Sequence, residues 1–258
     1  IISFLKICYA ILYSIFFIIK QKPKVIFGMG GYSSFPICIA ATILKIPFIL
    51  YENNLYLGKA NRYLLPYAKL LFCSYSEIDG VNEKYKDKIF EIGNILRDEI
   101  INYENITDNK NNFKDELNIL ILGGSQAAKI FAEKLPKIFH KLKDDGCNIM
   151  IYQQCMPQQE KDLQKKYNEL NLNFETFGFS YNLTRYFSKV NLAITRSGSS
   201  MLAELLNCNI PIISIPLPTS AENHQLKNAK YFKNKGYGFL VEEHEIDSKL
   251  LPLIKSIY

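Results

Sequence analysis

The stretch Ala193-Ile-Thr-Arg-Ser-Gly-Ser-Ser-Met-Leu-Ala-Glu204 decides how this chain is read. Leu192, Ala193 and Ile194 make the short apolar run that a buried strand needs. Arg196 to Ser200 is a polar turn, and Met201 to Leu206 resumes with helix-forming residues. A strand that turns tightly into a helix gathers free N–H groups and the positive end of the helix dipole at one point, which favours an anion. Serines in the turn are expected to cap those N–H groups. Glu204 falls about one turn into the helix, where its carboxylate can accept two hydrogen bonds from a vicinal diol such as ribose. The competing reading of the same residues is a capped helix bearing a solvated glutamate.

The same strand–turn–helix unit recurs on both sides. Val25-Ile-Phe27 leads into Gly28-Met-Gly-Gly-Tyr-Ser33 and an apolar helix over Phe35–Leu44, and Pro47–Tyr51 is a second strand followed by Glu52-Asn-Asn54. Further on, Ile119–Leu122 is a strand, Gly123-Gly-Ser-Gln126 a turn and Ala127–Leu142 an amphipathic helix. Short apolar runs alternating with helical segments predict an α/β fold with two doubly wound, Rossmann-like parallel sheets. Asn102 to Glu116 is rich in Asn, Asp and Lys and nearly free of apolar residues, so it reads as a linker. That divides the chain into a domain over 1–101, a linker over 102–116 and a domain over 117–258, with ligands expected in the cleft between the domains.

Bulk composition narrows the function classes. Hydrophobic residues at 48% with 22% charge describe a globular chain rather than a disordered one. A net charge of +6, with lysines scattered, argues against nucleic acid and leaves room for phosphorylated ligands or an anionic membrane surface. The six cysteines have no paired spacing and suggest reduced thiols. The three histidines form no metal-ligand pattern, so neither a metal nor another cofactor is expected. Residues 1–20 form an apolar run interrupted by Lys6, two serines and two tyrosines, which predicts a buried or membrane-touching helix in preference to a span.

Two glycine turns follow strands, Gly28-Met-Gly-Gly31 and Gly123-Gly-Ser125, and neither is a dinucleotide fingerprint or a P-loop. Glycine at such turns lets backbone N–H groups approach phosphate oxygens. Gly123–Ser125, Arg196–Gly198, Glu204 and Gln225 all sit at or just after strand ends of the second domain. Diphosphate on the glycine turn, ribose on Glu204 and a sugar near Gln225 make a coherent nucleotide-sugar site, while a solvated helix face is the plainer reading of His224 and Gln225.

These segments, together with Tyr51-Glu-Asn-Asn54, Asn61-Arg62, Gly93-Asn-Ile-Leu-Arg97, Gly123-Gly-Ser-Gln-Ala-Ala-Lys129 and Glu222-Asn-His-Gln225, occur in an order that resembles the MurG family of GT-B glycosyltransferases nearly end to end. The resemblance implies inverting, metal-independent transfer from UDP-GlcNAc to the 4-hydroxyl of the muramoyl sugar of lipid I, an undecaprenyl-diphosphate-linked muramoyl-pentapeptide. The product would be lipid II for peptidoglycan synthesis, made peripherally at the cytoplasmic face of the bacterial inner membrane. Carried over residue by residue, Ser125 and Gln126 contact donor diphosphate and sugar, with Ser197 and Gly198 beside them. Glu204 holds the ribose, Arg97 lies near the diphosphate, and Gln225 reads the GlcNAc. Gly30, Gly31, Tyr32, Glu52, Asn53 and Asn61 fall on the acceptor side.

Ala127, Met201, Tyr51 and Thr219 depart from the family's usual glycine, threonine, histidine and histidine. The family's first glycine turn, with the histidine linked to acceptor activation, and its last helices have no counterpart here, which predicts a chain truncated at both ends and leaves the catalytic residue unassigned. Two alternatives follow: an inactive remnant or membrane-docking binding subunit, and another GT-B glycolipid glycosyltransferase.

Overall fold

A computed structural model describes residues 2–103 (side chains from Leu5 onward), 116–124, 129–180 and 182–258. The chain divides into two compact units between Ile95 and Leu96. The linker expected over 102–116 falls largely outside the described residues, and residues 96–101 group with the second unit.

The first unit opens with helix α1 (Ile2–Gln21), then β1 (Ile26–Gly28), α2 (Gly31–Ile43), β2 (Phe48–Glu52), α3 (Lys59–Leu64), β3 (Leu70–Cys73) and β4 (Ile89–Glu91). Its strands are all parallel and lie in the order β1-β2-β3-β4, with no reversal among the described residues. Alternation along the strands sends Ile26, Phe48, Leu50 and Leu71 into a core shared with Cys38, Ala40 and Ala41 of α2. The opposite alternation puts Phe27 near the rings of Tyr51 and Phe72, at centroid distances of 6.3 and 6.4 Å. Phe27 and Phe90 remain about half exposed on that side, at 45% and 49%.

Helix α1 packs on α2 and buries Ile18, while Leu5, Tyr9, Leu12 and Phe16 stay exposed. Among the described residues, no helix is long and apolar enough to cross a membrane. All six cysteines are free thiols.

The second unit contains α4 (Asp98–Ile101), β5 (Leu117–Leu122), α5 (Lys129–Asp144), β6 (Ile149–Gln154), α6 (Pro157–Glu169), β7 (Asn173–Phe177) and α7 (Thr184–Phe187). It continues with β8 (Leu192–Thr195), α8 (Ser199–Asn207), β9 (Ile212–Ser214), α9 (His224–Asn234), β10 (Phe239–Leu240) and α10 (Leu251–Ile257). Its parallel sheet has the order β10-β9-β8-β5-β6-β7. Every residue of β8 and β9 is buried, as strands covered on both faces require. Helix α5 presents Phe131, Leu135, Ile138, Phe139 and Leu142 at helical spacing to Ile119, Ile121, Ile151 and Ile194. Near the end of the chain, Ile246, Leu250 and Ile254 repeat every four residues and are fully buried against the same core.

The winding direction reverses between β5 and β8, which are direct neighbours in the sheet. Chains leaving adjacent strands there diverge to opposite faces and open a crevice at the carboxyl ends. The turns Leu122–Gly124 and Thr195–Gly198 occupy those two ends.

Candidate functional site

Both turns expose backbone at the switch point. Gly124 has φ +75°, and a Cβ built on it would meet nothing within 4 Å, so the main chain is open to a close-approaching ligand. Ser125, Gln126 and Ala127 lie outside the described residues. On the other turn, Gly198 is the N-cap of α8 and supplies no side-chain hydrogen bond. Here the serine cap expected from the sequence is corrected. Ser197 sits one residue before the cap, and among the described residues its buried Oγ has no hydrogen-bond partner. The Ser197 carbonyl, in contrast, accepts from Nδ2 of the buried Asn228 at 3.1 Å.

A cavity of about 700 Å³ opens over the two turns. Gly123, Gly124, Gly198, Met201, Thr219 and Gln225 line it, and Phe179, Ser180 and Leu183 join from the segment after β7. The Gln225 carboxamide accepts from the Leu217 N–H through Oε1 at 2.9 Å, which commits its carbonyl and leaves the amide N–H₂ as its donor end. Gln225 is therefore not on a solvated helix face. His224 is exposed, with Nδ1 at 2.7 Å from the Ala221 carbonyl. Ahead of them, Glu222 and Asn223 both adopt left-handed backbone at φ +53°, a strained kink of the kind tolerated where surrounding structure enforces it.

Arg196 fastens the rim of this cavity. Its Nη1 donates to the Ile215 and Pro216 carbonyls at 3.2 and 3.1 Å, and its Nη2 meets Glu243 at 2.5 Å. The guanidinium also lies 4.9 Å from the Phe131 ring centroid. One side chain thus joins the turn after β8, the segment after β9, helix α5 and the turn after β10.

Glu204 lies one turn beyond Met201 on α8, on the same helix face and beside the cavity rather than lining it. The alternative of a solvated glutamate does not hold: Glu204 is 7% exposed. Its two oxygens accept from Arg97, Oε1 from Nε at 3.1 Å and Oε2 from Nη2 at 2.9 Å. The hydrogen bond to Glu204 raises the Arg97 pKa still further above its ordinary range. Arg97 also pairs with Glu99 at 2.6 Å through Nη1. It is the N-cap residue of α4, a short helix docked on α8 by the buried Ile100 and by Asn207, whose Nδ2 donates to the Ile100 carbonyl at 2.8 Å.

The acceptor-side residues read from the sequence come together in the first unit, at the carboxyl ends of β1 and β2. Gly30 and Gly31 have φ +76° and +74°, and a Cβ on Gly30 would stand 3.1 Å from Asn61 Nδ2. Glu52 is 5% exposed and accepts four hydrogen bonds. These come from Asn54 N and Nδ2 at 3.2 and 3.0 Å, Gly58 N at 2.9 Å and Asn61 Nδ2 at 3.0 Å. Asn53 is drawn in through Asn54 Nδ2 at 3.0 Å, whereas Tyr32 is 92% exposed. Tyr51 uses its phenol as a tie: the oxygen is 2.7 Å from Ser74 Oγ and accepts from Ile95 N at 3.1 Å. Among the described residues, no group of three or more His, Cys, Asp or Glu side chains is placed to hold a metal ion.

Phe179, Ser180, Leu183, Gln154 and Glu243 belong to no motif legible in the sequence. The signal available for them is general: in a doubly wound sheet, segments leaving successive strand ends gather at one edge.

Two parallel α/β units, one with a glycine turn and a helix start at its switch point, define a protein of the doubly wound α/β class, in which ligands collect at strand ends. Comparison with known proteins narrows the class. The glycosyltransferase family 28 C-terminal domain matches residues 118–258, and the N-terminal domain of the same family matches residues 1–73. A Pelagibacter ubique UDP-N-acetylglucosamine–N-acetylmuramyl-(pentapeptide) pyrophosphoryl-undecaprenol N-acetylglucosamine transferase is 36% identical over 97% of this chain and 69% of its own length. The enzyme of the same name from Rickettsia felis is 34% identical over 96% of this chain and 72% of its own. The crystal structure of Acinetobacter baumannii MurG superposes with a TM-score of 0.80 at 25% identity, covering 98% of this chain and 70% of that one. The chain belongs to glycosyltransferase family 28. These relatives do not favour the remnant or the other glycolipid transferase.

Proposed function

We propose that the chain transfers N-acetylglucosamine from UDP-GlcNAc to the 4-hydroxyl of the muramoyl sugar on an undecaprenyl-diphosphate-linked pentapeptide, with inversion and without a metal ion. The observation that carries this reading is the juxtaposition, at one switch point, of a positive-φ glycine turn, an uncapped helix start and a buried carboxylate. Its relatives named for that transfer match it nearly end to end.

In this reading the donor diphosphate sits on the N–H groups of Gly123–Gln126 and of the α8 start, with Ser197 and Gly198. The charge that develops on departing UDP is then met by helix-start dipoles and backbone donors. Glu204 takes the ribose diol, with Arg97 beside the diphosphate, and the apolar flank of Phe179 and Leu183 suits the base. Gln225, its carbonyl spent on Leu217, offers its amide N–H₂ to a sugar oxygen. Gly30, Gly31, Tyr32, Asn53 and Asn61 face the acceptor, and Glu52 acts by holding their loop in shape. Four donors already occupy its carboxylate, so it is a positioning residue and not the base.

The enzyme works peripherally at the cytoplasmic face of the inner membrane. The exposed Leu5, Tyr9, Leu12 and Phe16 of α1, with Lys20, Lys22 and Lys24 at its end, suit shallow docking on anionic lipid. Sedimentation with anionic liposomes at low salt, lost at high salt, is the expected behaviour.

Calorimetric titration with UDP-GlcNAc, with UDP-glucose as control, tests the donor site. Saturable binding that prefers UDP-GlcNAc supports the reading, and a folded chain that binds neither nucleotide sugar overturns it.

A further inference from the structure

The carboxylate assigned above to a ribose diol is already engaged in the free chain. Arg97 spans both oxygens of Glu204 in the two-pronged arrangement that guanidinium and carboxylate favour. A vicinal diol donating to both oxygens seeks the same edge of the carboxylate. In the same two-pronged geometry the two compete for that edge.

The surroundings show what can move. The backbone at Arg97 is fixed by α4, which is anchored to α8 through Ile100 and Asn207. The Arg97 side chain is 39% exposed and that of Glu99 40%, so the guanidinium has room to swing while Glu99 retains Nη1. Glu204, with a side chain 10% exposed, stays in place on α8. The movable part is one side chain on a rigid mount.

We propose that Arg97 is a latch on Glu204 that a nucleoside diphosphate exchanges for itself: the ribose diol takes the carboxylate, and the released guanidinium pairs with the diphosphate of the same ligand. This deepens the donor-site reading and rests on it. A nucleoside without phosphate must open the latch and gains nothing for the released cation. A nucleoside diphosphate opens it and returns a charge-assisted pair. The latch therefore selects against unphosphorylated nucleoside, and Glu99 keeps the released arginine from facing solvent with no carboxylate beside it.

The test is a chemical-shift titration of the full chain with uridine and with UDP, using wild type, Arg97→Met and Arg97→Lys. Removing the latch in Arg97→Met tightens uridine about fivefold, equivalent to about 1 kcal/mol for a partly exposed ion pair. The same variant weakens UDP about tenfold, because the phosphate partner is lost. Arg97→Lys, which keeps a charge but not the fork, tightens uridine while holding UDP near wild type. A merely structural arginine gives the opposite sign, with both ligands weakened together. Unchanged or weaker uridine binding in a folded variant overturns the latch, and if Arg97→Met does not fold, the uridine result with Arg97→Lys decides it. Wild type that binds UDP-GlcNAc while the uridine result is negative sinks the latch alone, whereas wild type that binds neither UDP nor UDP-GlcNAc overturns the donor site and the latch with it.

Discussion

Glu52, the last residue of β2, and Glu204, inside the helix that follows β8, are both buried carboxylates, one in each unit, and the protein treats them differently. Glu52 accepts from two backbone N–H groups and two asparagine side chains, so its hydrogen-bonding capacity is filled by the fold itself. Glu204 is met, among the described residues, by one partly exposed arginine, and it lies on the helix whose start borders the cavity. A carboxylate saturated by four donors of its own loop and helix holds shape. One held by a partly exposed cation is available for exchange. Burial is nearly the same for the two, so the donors, not the depth, separate a structural acid from a ligand-binding one.

That contrast can be broken by substitution. Glu52→Ala strands four donors and is expected to cost about 3 kcal/mol of stability in urea denaturation. Glu204→Ala should instead weaken UDP-GlcNAc about a hundredfold by calorimetry, and cost about 1 kcal/mol or less in stability. If the two variants lose stability equally, the distinction fails. Arg196→Met removes a largely buried ion pair with Glu243 and two carbonyl contacts, with about 2–3 kcal/mol expected in the same denaturation measurement.

Two glycine-to-alanine changes sharpen the comparison at smaller effect. Gly30 and Gly124 share a left-handed φ that an alanine would strain, but only Gly30 is hemmed in by Asn61. Gly30→Ala should lower the melting temperature by several degrees more than Gly124→Ala, about 1 kcal/mol of difference. Equal shifts would mean that Asn61 gives way. The smallest effect is chemical. Burial pushes the thiols of Cys38 and Cys155 up to about 11, so at pH 8 they stay protonated. Mass spectrometry after brief alkylation of the native chain should find Cys8, the one cysteine outside the buried class, labelled first.

Much of this architecture is legible from residues alone, because parallel strands buried on both faces are written as continuous apolar runs. Ile194 and Ile121 report their strands directly, and the glycine turns mark where those strands stop. Gly30 and Glu52 gather because both fall at strand ends, and Asn61 reaches them from α3. Other features depend on tertiary contact that no local pattern carries. Helix α4 is four residues long and exists by docking on α8, so nothing in its sequence announces that Arg97 meets Glu204. The serine-cap expectation fails for a related reason: Gly198 takes the cap position, and the buried Asn228 fixes Ser197 by its carbonyl. Tyr51 looks like a lost histidine until its phenol is seen bridging Ser74 and Ile95.

The reversal in strand order also has a consequence for synthesis on the ribosome. Strand β5 pairs on one side with β6 and on the other with β8, and Asn118, within β5, finds its partner Asn191 only 73 residues later. At about 5–20 residues per second, the second edge of β5 waits several seconds for its neighbour to emerge. During that interval an edge containing Ile119 and Ile121 is open to pairing with other nascent chains. Slow codons or a holding chaperone acting between residues 122 and 192 should therefore govern the yield of soluble chain more than the same intervention anywhere in the first unit, whose strands pair in the order they are made.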